Sequence, residues 1–132
     1  MDIHRRFAVD KTKEQEGIWI DDQEGGRLKL GRLGNPRHRK AVAQKRNDYL
    51  GTKRSTVVPD DVSERISREA VAETILLDWE NQTWNGEVVP YSRERALEWM
   101  TTMDDFYLMI VGLANDIENY RIDVQETVEK NS

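Results

Sequence analysis

Apolar residues recur along this chain at two spacings, and the change of spacing divides it. From Arg27 to Leu30 the pattern alternates, with Leu28 and Leu30 on one side and Arg27 and Lys29 on the other. That is the period of a half-buried strand. Upstream, Ile18-Trp19-Ile20 is β-branched and aromatic, a composition that favours a strand. Asp21 to Gly26 between them is polar and ends in two glycines, as a hairpin loop does. The pattern predicts an N-terminal β-hairpin over about residues 17–22 and 27–33. Phe7-Ala8-Val9 reads as a short strand, and the polar residues 1–6 as loosely held.

After Gly34 the spacing becomes helical. Asn35-Pro36 supplies an N-cap and a first-turn proline, predicting a helix to about Leu50 with Gly51 as its stop. Its apolar face is thin (Ala41, Val42, Tyr49, Leu50), and most of its circumference is basic. A loop is expected over 52–58. A second helix opens at Pro59-Asp60-Asp61, where Asp61 and Glu64 resemble a capping box. Val62, Ile66, Ala70 and Leu77 define one face, and Val71, Ile75 and Trp79 an adjacent one. The densest apolar run, Ile75-Leu76-Leu77, predicts a buried end to that helix near Asn81. Residues 82–90 read as a loop around the turn signal Asn85-Gly86. Ser92 reads as the N-cap of a third helix, Arg93 to Thr101, with Ala96, Leu97, Trp99 and Met100 inward. Thr102 and Asp105 suggest a capping box for a last helix. There Phe106, Ile110, Leu113, Ile117, Tyr120, Val124 and Val128 follow at steps of 4, 3, 4, 3, 4 and 4, with Met109 and Val111 widening the stripe. Beyond Tyr120 the seam is one residue wide, suited to a partner helix or to solvent. The expected architecture is mainly α (α+β), a small N-terminal hairpin followed by about four helices. One domain is expected over 1–132, with a hairpin region at 1–34 and a helical region at 35–132.

Charge alters this picture. Residues 27–54 hold ten Lys or Arg against one acid, whereas 55–132 hold six against seventeen acids. Such a split points to a nucleic-acid footprint, to docking between copies, or to pairing of the two regions within one monomer. The absence of cysteine excludes disulfides and thiolate metal sites. No signal-peptide core or membrane-spanning run is found. These features predict a protein of a reducing cytoplasm.

Candidate chemistry is sparse. His4 and His38 fall on different elements without metal-ligand spacing, and no nucleophile, phosphate-loop or zinc motif occurs. Asp60-Asp61 and Asp104-Asp105 sit at helix starts, where acids serve capping and the helix dipole. No enzyme, cofactor or metal is expected. The basic helix carries the main binding signal: Arg37, Arg39 and Lys40 could meet phosphates or an acidic protein surface. No helix-turn-helix or aromatic interleaving supports nucleic acid. The tryptophans at helical spacing read as core, but Trp84, in the loop beside Asn85-Gly86, is a candidate interface anchor.

Several phrases resemble a known family. Glu73 to Asn81 reads ETILLDWEN, Pro90 to Ala96 reads PYSRERA, and Ala114 to Arg121 reads ANDIENYR. Gly17-Ile18-Trp19-Ile20 and Arg32-Leu33-Gly34-Asn35-Pro36 add to the likeness, which covers about residues 16–121. Together they resemble the tail assembly chaperones of long-tailed (siphovirus-like) bacteriophages. The resemblance implies a non-enzymatic protein of the host bacterial cytoplasm that coats the tape measure protein. It would keep that protein soluble until tail tube subunits assemble, and be absent from the mature virion. Self-association is expected, and a longer frameshifted product occurs in some members. The residues expected at the partner interface are Arg37, Arg39 and Lys40 on the basic helix, Trp84 in the loop, and Val124 and Val128 on the last helix. The alternatives are a small nucleic-acid-binding or regulatory phage protein using helix 35–54, and a head–tail connector component.

Overall fold

The computed structural model describes residues 1–51 and 53–122. The fold is α+β. A three-stranded antiparallel sheet, in the order β1-β2-β3, combines β1 (Ile18–Asp21), β2 (Arg27–Leu30) and β3 (Leu76–Glu80). Four larger helices accompany it: α3 (Pro36–Leu50), α4 (Asp60–Thr74), α5 (Arg93–Thr102) and α6 (Asp104–Asn115).

The hairpin forms where alternation placed it, with Leu28 and Leu30 buried and Trp19 opposite Lys29. The N-terminus departs from expectation. Residues Ile3–Phe7 and Lys11–Glu16 form short helices α1 and α2, capped by the side chains of Asp2 and Asp10. Two Asp N-caps, each accepting from backbone N–H groups a few residues ahead, supply what the apolar pattern could not. Val9 makes a single antiparallel bridge with Arg121 and is part of no longer strand.

The largest departure follows α4. That helix stops at Thr74, and Leu76–Glu80 is strand β3, paired with β2 through Leu28↔Trp79 and Arg27↔Glu80. A hairpin alone leaves the second edge of β2 with unpaired backbone groups, and β3 satisfies them. Close approach is required at the junction. A Cβ on Gly31 would lie 2.9 Å from the Thr74 carbonyl oxygen, and the Gly31 N–H donates to the Ile75 carbonyl. The expected capping box at Asp61 is absent: Pro59 is the N-cap and no side chain caps α4.

Residues 82–90 contain a second hairpin, β4 (Thr83–Trp84) and β5 (Glu87–Val88). Asn85 and Gly86 both have positive φ, 51° and 84°, as the two central positions of a tight hairpin turn require. Ser92 caps α5 through its hydroxyl, as expected, and Ala96, Trp99 and Met100 are buried while Leu97 is 39% exposed. Met103, not Thr102, precedes α6, and it makes no side-chain cap.

The last helix is shorter than its stripe predicts. It ends at Asn115, and the extended backbone of Asp116 leads into a 3-10 turn, Ile117–Asn119. Tyr120 then folds back and is fully buried, its hydroxyl 3.1 Å from the carbonyl oxygens of both Leu30 and Gly31. Val124 and Val128 lie outside the described residues.

The core gathers on the α4 side of the sheet, from Leu28, Leu30, Val71, Ile75, Leu76, Trp79, Trp99, Met100 and Ile110. Trp79 stacks on Trp99 at 4.7 Å and meets Tyr91 edge-on at 4.9 Å. The Trp79 indole N–H donates to the Val89 carbonyl, and the Tyr91 hydroxyl to the Leu76 carbonyl. These bonds tie the second hairpin and the start of α5 to β3.

Candidate docking surface

Helix α3 is positioned by its first residue pair and by one lysine. The Asn35 side-chain oxygen Oδ1 accepts from the N–H groups of Arg37 and His38, and its side-chain Nδ2 donates to the backbone carbonyls of Glu14 and Arg32. Lys45 reaches α4, 2.7 Å from Glu73 and 3.4 Å from Glu69. Burial lowers the Lys45 pKa, but hydrogen bonding and charge from Glu73 and then Glu69 outweigh it, and the net shift is upward. This is the pairing of the basic region with the acidic one, and Arg27 repeats it with Glu80 at 2.6 Å. No residue of α3 is buried.

Pairing does not reach the outward side of α3. Arg37, Arg39, Lys40 and Arg46 are exposed, and among the described residues none has an ion-pair partner. Arg39 and Arg46 line a groove of about 640 Å³ with Leu33, His38, Val42, Ala43 and Asn115. Gly34 N–H donates to His38 Nδ1 at 3.0 Å, and burial holds the imidazole below its usual pKa, so it faces the groove as a neutral ring. Arg37 points elsewhere, into a cleft with Lys11, Thr12, Gln15 and Glu16.

Helix α6 brings an exposed face, apolar at Leu108, toward the same groove. Leu108 and Met109 are 62% and 45% exposed, so Met109 faces solvent and does not widen the inner stripe. Leu108, Gly112 and Asn115 are all exposed at steps of four and three, which places them on one face of the helix. That face runs down α6 to the groove, where Asn115 is part of the lining.

The structure thus gathers Arg37, Arg39 and Lys40 on one helix, with only Arg39 in the groove. Trp84 is on β4, 51% exposed, and stacks on Trp99 at 5.9 Å. It shares no pocket with the α3 residues. Sequence reasoning missed Leu33, Val42 and Ala43 as a joint floor, because a loop residue and a weakly apolar helix face meet only in three dimensions. It also missed the outward Leu108, since α6 is apolar on more than one side and a one-stripe reading assigns apolar residues inward.

Among the described residues no helix is long and apolar enough to cross a membrane, and no group of three or more His, Asp or Glu is placed to hold a metal ion. Fold and surface define a small α+β protein whose exterior carries a basic helix, a groove and two exposed apolar side chains on α6. Its family is shown by comparison: the model of the YdaY prophage protein family matches residues 33–131, and the chain belongs to that family. It is therefore a prophage protein. The matched span begins at Leu33 in the groove and includes α3 and α6 entire. No curated protein and no solved structure matches the chain.

Proposed function

We propose that this prophage protein is a tail assembly chaperone, which binds the tape measure protein and keeps it soluble and assembly-competent while the tail tube forms. The observation that carries the reading is the outer face of α6, where Leu108 and Met109 stand in solvent. Exposed apolar surface rimmed by polar residues marks a site of protein association. A long helical partner has apolar seams that need cover, and a helix laid in a groove is the usual way to supply it. The cations of α3 add orientation and faster encounter with an acidic partner surface. The phrases at Glu73–Asn81, Pro90–Ala96 and Ala114–Arg121 give independent support through their resemblance to the chaperone family.

The reading is non-enzymatic. It places the protein in the host cytoplasm, self-associating, beside tail tube subunits only during assembly, and outside the mature virion. Co-expression with the tape measure protein encoded beside it tests the reading. The partner stays soluble and co-purifies with the wild-type chain, and does so less with Leu108→Asp. If the partner precipitates regardless, the reading fails.

A second reading, a nucleic-acid-binding or regulatory protein, is favoured by Arg37, Arg39, Lys40 and Arg46, which are exposed and have no ion-pair partner among the described residues. It requires DNA or RNA affinity that falls steeply with salt. A titration across a salt series that finds no binding removes it.

A further inference from the structure

The α3 wall of the groove is built from three adjacent pairs: His38 and Arg39, Val42 and Ala43, Arg46 and Asn47. The pairs repeat every four residues, so they form one continuous face along the helix. At the rise of an α-helix that face is about 13.5 Å long. Leu33 and Gly34 line the groove from the loop before α3, and Asn115 from the end of α6.

The face has a pattern. Arg39, Val42 and Arg46 fall at i, i+3 and i+7, the spacing of a seam between two helices. The two guanidiniums stand about 10.5 Å apart along the axis, with Val42 and Ala43 between them. Neither has an ion-pair partner among the described residues, and no Asp or Glu lines the groove. His38 adds no charge. Its Nδ1 accepts from the Gly34 N–H, which leaves Nε2 as the protonated nitrogen of the neutral ring. Gly34 and Ala43 are small, and a Cβ at Gly34 would meet nothing within 4 Å, so a second backbone can come close.

We infer that this face docks an acidic amphipathic helix of a partner protein, laid along α3. Two of its carboxylates, seven residues apart, meet Arg39 and Arg46, and the apolar side chains between them meet Leu33, Val42 and Ala43. Helices held in grooves are read through anchors at this spacing. Each guanidinium can hold a carboxylate through two parallel N–H donors, so the pair of arginines fixes the register. The identity of the partner as the tape measure protein rests on the chaperone reading; the charge and spacing that the docked helix carries rest on the groove.

The probe is a labelled synthetic peptide of about three heptads, with Glu at every seventh position, Leu at the third and fourth positions after each Glu, and Ala and Gln elsewhere. Its counterpart carries Lys for every Glu. Each is titrated with the full-length protein and read by fluorescence anisotropy. The Glu peptide is expected to bind saturably, at one peptide per chain and about tenfold more tightly than the Lys peptide. Arg39→Glu with Arg46→Glu should reverse that order. Both positions are exposed on a helix with no buried residue, and circular dichroism verifies that the variant is folded. No binding of either peptide, equal binding of both, or a preference unchanged by the reversal overturns the inference. So does binding of dodecanoate without binding of the Glu peptide, which would make the occupant a small amphiphile. If the peptides behave as expected but the tape measure protein precipitates with the wild-type chain, the docking face stands and the chaperone reading falls. If the tape measure protein co-purifies undiminished with the Arg39→Glu/Arg46→Glu variant, the chaperone reading stands and this docking face falls.

Discussion

Helices α3 and α4 are both fifteen residues long and pack side by side, yet they are made of opposite material. Helix α4 buries Val62, Ile66, Arg68, Ala70, Val71, Ala72 and Thr74, whereas α3 buries nothing. Even the charge on α4 is used internally: Arg68 donates to the Met100 carbonyl, bonds Glu64 and Asp104, and lies over the Tyr107 ring. On α3, among the described residues, Lys45 is the one cation with an ion-pair partner. Burial and exposed charge are therefore separated in space. The α4 side holds much of the core, and α3, fixed at its start by Asn35 and midway by Lys45, leaves Arg37, Arg39, Lys40 and Arg46 exposed.

That contrast is broken most strongly by removing core from the α4 side. Trp79→Ala deletes a ring stacked on Trp99 and bonded to Val89, and is expected to cost about 3–5 kcal/mol, read from urea denaturation. Asn35→Ala is next, at about 2 kcal/mol, because one buried side chain caps α3 and also satisfies two carbonyls. Its loss should loosen α3 before the sheet, a difference visible in amide exchange.

Tyr120→Phe is expected to cost about 1 kcal/mol near neutral pH, the worth of the lost hydrogen bonding. It also carries a pH signature. Burial pushes the Tyr120 phenol well above its ordinary range. Above about pH 10 the unfolded chain therefore releases a proton that the native one retains. Stability is fully present below that pH and declines as pH rises past it. The Phe variant should show a shallower alkaline loss, with the remainder due to Tyr91 and Tyr107, which burial also shifts upward. Smallest of all, Arg39→Ala should change stability by no more than about 0.5 kcal/mol, measured by thermal unfolding. A larger effect would mean that α3 contributes to the core.

The same division governs what was legible in the sequence. The β1–β2 hairpin, the Asn35-Pro36 start of α3 and the Ser92 cap of α5 follow from local chemistry, and each forms as expected. Ile75 to Glu80 misleads because a short apolar run does not distinguish a strand from a buried helix end. The deciding partner, β2, lies some fifty residues away. The apolar stripe misleads differently over its described part, Phe106 to Tyr120. Its spacing continues past Asn115, but Asp116 adopts extended backbone and Tyr120 is recruited to the carbonyls of Leu30 and Gly31. Of the interface, the cations of α3 were legible as a run of charge. The groove was not, since it needs Leu33, Val42 and Asn115 from three parts of the chain.

Under the proposed function, the exterior of α3 and α6 recognises a helical assembly partner without supporting the fold. The most direct test of that reading is co-expression of the tape measure protein with the wild-type chain and with a variant carrying Leu108→Asp, Arg39→Glu and Arg46→Glu. The expected result is a soluble, co-purifying partner with the wild type, and a precipitated partner beside a fully folded variant. A partner equally soluble with both chains, or insoluble with both, would contradict it.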